Sequence, residues 1–230
     1  MAWFTPDAIA FFAELEENND KVWFDANRKR YESTIKTPLL ELAAELIERM
    51  REIDPEITML PKNAVFRIHR DTRFSKDKTP YKTNAGLVVT RGLKHNPGVT
   101  GLYFHFDAAR MAVASGLYFI EPAQLKVLRT YLADHLDEFQ RLLVGEEWKR
   151  HFGEMAGMKG KVLPAELREA AAREPLLYNK QFFYWAEHPA LEITREDLPE
   201  FVMSHIRAAQ PMNRFLTQPL RAAGEESGEN

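Results

Sequence analysis

LYFHFDAARMAVASG, residues 102–116, is the stretch on which the fold turns. Leu102, Phe104 and Phe106 alternate with Tyr103, His105 and Asp107, the period of two expected of a strand with one face in the core. Met111 to Gly116 follows after the short link Asp107-Ala108-Ala109-Arg110, too short for a crossover. The two strands therefore return on each other as an antiparallel hairpin. Upstream, Leu87-Val88-Val89 is a compact β-branched run and Val65-Phe66-Arg67-Ile68 is also β-like; downstream, Gln181 to Trp185 reads as a late aromatic strand. A meander is the simplest arrangement of these pieces.

Helical patterns lie on either side. Thr5-Pro6 is a cap and first-turn signal for a helix near 6–17, and Trp23, Asn27, Tyr31 and Ile35 form one stripe of a second. Thr37-Pro38 repeats the cap signal ahead of the amphipathic run Leu39, Leu42, Ala43, Leu46, Ile47 and Met50. Pro122 opens one long helix or two abutting ones through Leu143. Pro164 to Ala172 is a short helical segment, Thr194 with Asp197 resembles a capping box, and Pro211 restarts a final helix. The predicted fold is α+β: a single domain over 1–222, mainly an antiparallel meander flanked by N-terminal and C-terminal helices. A polar, disordered tail is expected over 223–230. No Gly/Ser linker or repeat period divides the chain.

Composition narrows the chemistry. There is no cysteine, which excludes disulfides, thiolate nucleophiles and iron–sulfur clusters. The acids Asp7, Glu14, Glu16 and Glu17 interrupt the opening apolar residues, so these do not read as a signal peptide, and no run approaches the roughly 20 apolar residues of a membrane span. A cytoplasmic, soluble protein is expected. The overall charge of −3 gives no broad positive potential, yet Lys62 to Lys82 carries a local net charge of +5 with histidines neutral.

That segment is the candidate working surface. Residues 67–83, RIHRDTRFSKDKTPYKT, leave a strand and pass through turn-forming residues, so most of them form a loop. Arg67, Arg70 and Arg73 offer forks of N–H donors suited to carboxylate or phosphate, and Lys78 and Lys82 add mobile point charges. Together these five are the candidate ligand-binding set. Asp71, Asp77 and Tyr81 are the candidate acid/base groups should a reaction occur there. Phe74 and Tyr81 supply apolar anchorage, and two acids are too few to assign a metal.

Arg67, Arg70, Asp71, Arg73, Phe74, Asp77, Lys78 and Tyr81 also carry a resemblance. In these positions the chain resembles an uncharacterised bacterial and fungal domain-of-unknown-function family. Asn18-Asn19, Trp23-Phe24, Tyr31 and Glu187-His188-Pro189 look like its flanking features, so the similarity spans most of the chain. The resemblance implies membership; it brings no activity, substrate or cofactor.

Three readings of the loop stand open. It binds a small anionic ligand, phosphorylated ones included, with catalysis undecided. Alternatively it is a structural ion-pair network in a noncatalytic interaction module. A third reading is nucleic-acid binding, using the same charges plus Arg91 and Lys94, with Phe74, Tyr81 or Tyr103 stacking on bases. The seven histidines, His69, His95, His105, His135, His151, His188 and His205, form no metal-binding spacing, although His69 and His105 with Asp107 can meet if their strands are neighbours. No serine-hydrolase elbow or nucleotide-binding glycine loop occurs, so no cofactor is named. Phe182 to Trp185 is assigned to the core. The oligomeric state is not written in the sequence.

Overall fold

The hairpin predicted from residues 102–116 forms and occupies the two central positions of the sheet. In the computed structural model, which describes residues 2–92, 94 and 96–227 with side chains to 221, β1 (Asn84–Val89), β2 (Leu102–Asp107), β3 (Arg110–Leu117) and β4 (Phe182–Pro189) form one sheet in the order β1-β2-β3-β4. The strands make an antiparallel meander, so the fold class is α+β. The β2–β3 turn is closed by Asp107, whose Oδ1 accepts from the N–H groups of Ala109 at 2.7 Å and Arg110 at 2.9 Å. Those bonds give the two-residue turn its geometry.

Before the sheet come α1 (Pro6–Glu17), α2 (Lys21–Tyr31), α3 (Thr37–Ile53) and the single turn α4 (Pro61–Ala64). Asp20 caps α2, accepting from Val22 N–H and Trp23 N–H at 2.7 and 2.9 Å. The second cap signal, Thr37-Pro38, does not start a separate helix. The chain runs from α2 into α3 through a π-helical segment, Glu32–Lys36. Proline lacks the N–H that would bond to the carbonyl four residues earlier and its ring crowds that carbonyl, and a widened turn just before it relieves both. Ser33 and Thr34 donate their hydroxyls to the carbonyls of Lys29 (3.0 Å) and Arg30 (2.7 Å) in the same stretch.

After β3 come α5 (Pro122–Asp134), α6 (Leu136–Leu143), α7 (Glu146–His151) and α8 (Arg168–Arg173), and after β4 the long α9 (Leu198–Ser227). The helices expected over 122–143 are thus two, abutting at His135. Pro211 does not restart a helix either: it and Pro219 lie inside α9. Burial of Ile206, Ala209, Met212, Phe215 and Leu216 along α9 offsets the hydrogen bond a proline removes. The backbone of α9 is described to Ser227; residues 228–230, the end of the expected tail, and His95 lie outside the described residues.

Contacts gather into two compact units. The first holds the described residues within 1–94, 103–113 and 187–203, the second those within 95–102, 114–186 and 204–230. In the first, Phe4 and Phe12 of the N-terminal segment meet Phe106 edge-on at 4.9 and 5.6 Å, and Arg30 ties α2 to α1 through Asp7 and Glu14. In the second, Leu128, Leu132, Phe139, Phe182, Tyr184 and Phe215 are among the core residues. The aromatic run of β4 is therefore only half core: Phe182 and Tyr184 are fully buried, whereas Trp185 is 45 % exposed. A buried polar chain crosses the second unit, from Tyr184 Oη to Asn213 Oδ1 (2.7 Å), Asn213 Nδ2 to Ser115 Oγ (2.9 Å) and Ser115 Oγ to Gly101 carbonyl (2.7 Å). Gly116, at φ 108°, lets β3 approach β4 where a Cβ would fall 2.4 Å from the Phe182 carbonyl oxygen.

Candidate functional site

Residues 65–83 form a long excursion ahead of β1, all within the first unit. Two antiparallel bridges, Val65 to Leu87 and His69 to Tyr81, pin its legs, so the β-like run at 65–68 pairs only at isolated points. Phe66 N–H donates to the Gly86 carbonyl at 2.9 Å, Lys82 N–H to Ile68 at 2.8 Å and Arg70 N–H to Pro80 at 2.9 Å. Residues 71–79 hang beyond the last of these bonds.

The loop satisfies much of its own charge. Arg70 is ion-paired with Asp77 and donates to Thr79 Oγ1. Asp71 accepts two bonds from the Arg73 side chain, 3.0 Å from Nε and 2.7 Å from Nη2, and a third from its backbone N–H at 3.3 Å. Lys78 Nζ donates to the Thr72 carbonyl at 2.9 Å. The Thr79 backbone N–H, with Arg70 and the Thr79 hydroxyl, holds the Asp77 carboxyl down to about 2; the Arg73 side chain likewise lowers Asp71. Carboxylates that give up protons so readily are weak general bases at neutral pH. Phe74 is 96 % exposed at the tip, with the Arg73 guanidinium 5.9 Å from its ring centroid.

Tyr81 lies elsewhere. It is buried, stacked on Phe24 at 4.0 Å, and its backbone is held by Asn19: Asn19 Nδ2 donates to the Tyr81 carbonyl and Tyr81 N–H donates to Asn19 Oδ1, each at 3.0 Å. One side-chain amide thus stands in for a strand partner. Neighbours on an extended leg point in opposite directions, so where Tyr81 turns to Phe24, Lys82 turns to the other face.

On that other face a different set assembles. Lys82 Nζ lies 5.3 Å and Lys94 Nζ 4.7 Å from the Phe66 ring centroid, within cation–π range. Arg67 is exposed close by, near enough for its charge to act on Lys82. Burial first, then Arg67, lowers the Lys82 ammonium below its ordinary range; burial and Lys82 do the same to Lys94. Among the described residues no carboxylate forms an ion pair with any of the three, although Asp71 feels the Arg67 charge from beyond contact distance. Lys94 does donate to the Val65 carbonyl. Tyr103 borders the set with its ring 6.1 Å from that of Phe66, and His105 follows at 5.4 Å from Tyr103. Among the described residues His105 Nδ1 is buried without a hydrogen-bond partner, and burial lowers the imidazole, favouring its neutral form. Gly86 fits beside it where a Cβ would meet the Phe104 carbonyl oxygen at 3.0 Å and His105 Cβ at 3.1 Å.

Of the five expected ligand-binding residues, then, Lys82 lies at Phe66 with Lys94, Arg67 is exposed within charge range of Lys82, and Arg70, Arg73 and Lys78 are turned to the loop's own acceptors. Sequence reasoning put Lys94 only in the nucleic-acid set and Phe66 only in a strand; the shared signal would have been an aromatic flanked by cations on both legs. Arg91, the other residue of that set, pairs with Asp54 at 2.6 Å and Glu56 at 2.5 Å. His69 packs against Phe24 and Tyr81, while His105 packs against Tyr103. Among the described residues no group of three or more His, Asp or Glu is arranged to hold a metal ion, and no helix is long and apolar enough to cross a membrane.

Fold and site together define an α+β protein in which a self-paired polar loop adjoins an unpaired basic face. The conserved hypothetical protein family DUF2461 matches residues 7–215, which include the loop and all four strands, and the chain belongs to that family. No curated protein matches it.

Proposed function

We propose that the protein binds a small anionic ligand on the face formed by Arg67, Lys82 and Lys94. One observation carries this reading: Lys82 and Lys94 share the Phe66 ring, with the Arg67 charge in range of Lys82, and no carboxylate is paired to the three among the described residues. Half-buried like charges without counterions repel one another and lose hydration, and an incoming phosphate or carboxylate relieves both costs. The aromatic rings suit an apolar part of the same ligand. Loop 71–79 serves as architecture here, its arginines and aspartates closing the loop on itself. Nucleic-acid binding has less support, because Arg91 is engaged by Asp54 and Glu56.

The test is thermal unfolding in phosphate against chloride at matched ionic strength. A ligand at a hundredfold excess over its Kd stabilises by about 2.7 kcal/mol, several degrees in Tm for a chain of this size. Wild type and Arg73→Gln should both gain this stabilisation; Arg67→Gln and Lys82→Met should lose it. Lys82→Met should also be at least as stable as wild type without phosphate, since it keeps the stem over Phe66 and removes an uncompensated charge. Equal phosphate effects in all four proteins would reject the site.

A further inference from the structure

The three cations on this face are not equivalent. Lys94 spends its ammonium on the Val65 carbonyl, and the Arg67 guanidinium is permanently charged. Lys82 differs from both: among the described residues its Nζ has the Phe66 ring beside it, at 5.3 Å, and neither a hydrogen-bond acceptor nor a carboxylate. It is also half-buried, and its main chain is fixed by the 2.8 Å bond from its N–H to the Ile68 carbonyl. A half-buried amine that shares one ring with a second ammonium is in the environment where lysine gives up its proton and becomes a nucleophile, burial and like charge outweighing the attraction of the ring face for the ammonium. The lowering of Lys82 by burial and by Arg67 runs in the same direction.

We propose that the Lys82 amine is the nucleophile of this face and forms an imine with an aldehyde or ketone that also carries a phosphate or carboxylate. This deepens the anion-binding reading and rests on it. Arg67 and Lys94 hold the anionic group while the neutral Lys82 amine adds its lone pair to the carbonyl carbon. The N–H proton passes to the carbonyl oxygen, giving a carbinolamine. Loss of that hydroxyl with the remaining N–H proton as water leaves the C=N bond. One amine and one carbonyl thus give one imine and one water, with no change of oxidation state. A simple anion occupies the site without reacting, and a carbonyl compound lacking the anionic group is not retained.

Pyridoxal 5′-phosphate is a suitable probe, being an aldehyde with a phosphate, and borohydride reduces its imine to a stable adduct that peptide mass mapping can locate. Adduct is expected chiefly on Lys82, at least several-fold above exposed Lys76 or Lys78, and it should fall when inorganic phosphate is added in excess. Unphosphorylated pyridoxal should label Lys82 several-fold less. Lys82→Arg, which keeps the charge, should retain the phosphate-dependent rise in Tm while losing the adduct. If phosphate stabilises wild type through Arg67 but the adduct is spread over exposed lysines, the nucleophile is rejected and the anion site stands. If phosphate has no effect and no selective adduct forms, both are rejected. Equal labelling of Lys82 by pyridoxal and its phosphate would overturn the requirement for an anionic group.

Discussion

Asn19 illustrates how one side chain, far away in sequence, fixes the position of another. Its amide satisfies both the N–H and the carbonyl of Tyr81, 62 residues later, at 3.0 Å each. Tyr81 can then stack on Phe24 while Lys82 is committed to the opposite side with Phe66. Asn19→Ala leaves two backbone groups unpaired in a partly buried place and should cost about 1–3 kcal/mol, read from urea unfolding. Asn19→Asp keeps the acceptor and loses the donor, so it should fall between the two; a cost near zero for Asn19→Ala would mean the clamp is not holding Tyr81. The pairing Asn18-Asn19 is visible in the sequence, but its target is not, because a contact between a turn and a distant loop leaves no periodicity. The same holds for Asp71 and Asp77. Their placement beside Arg73 and Arg70 is a matter of loop conformation, and identical residues in a more open loop would have left the arginines free.

At the scale of elements, local rules succeeded where spacing alone determines structure. The alternation at 102–107 and the short link to Arg110 required a hairpin, and β2 and β3 form it; α1 follows its Thr5-Pro6 signal. They failed at two of the prolines. Thr37-Pro38 and Pro211 carry helix-starting signals, yet both lie in continuous helix because a π-helical segment in one case and core burial in the other sustain it. Loop 71–79 is an element with its own pH dependence. The Asp77 carboxyl is depressed from an ordinary 3.8 to about 2, so its contribution is present above 3.8 and is lost as pH falls toward 2. Pepsin cleavage at the exposed Phe74 should therefore be several-fold faster in Asp77→Asn than in wild type at pH near 4, and the two rates should converge as pH falls through about 2. Identical rates at pH 4 would show that Asp77 does not restrain the loop.

For the whole molecule, the fold class and the position of the basic segment were legible from the sequence, whereas the division of labour within that segment was not. A net local charge records how many cations a stretch carries and nothing about which are neutralised. In the folded chain Arg70 and Arg73 are spent within the loop, while Lys82 is joined at Phe66 by Lys94 from another part of the chain. On the proposed reading the ligand is a compact anion and not a long polyanion, in keeping with an overall charge of −3 that gives no broad positive potential. Crystals soaked in tungstate, a heavy analogue of phosphate, test this most directly by anomalous diffraction. The expected result is a peak beside Phe66 within reach of Arg67, Lys82 and Lys94, absent from Lys82→Met crystals. A peak at Arg70 and Arg73 instead, or none on this face while the three side chains stay accessible to solvent in the crystal, would contradict it.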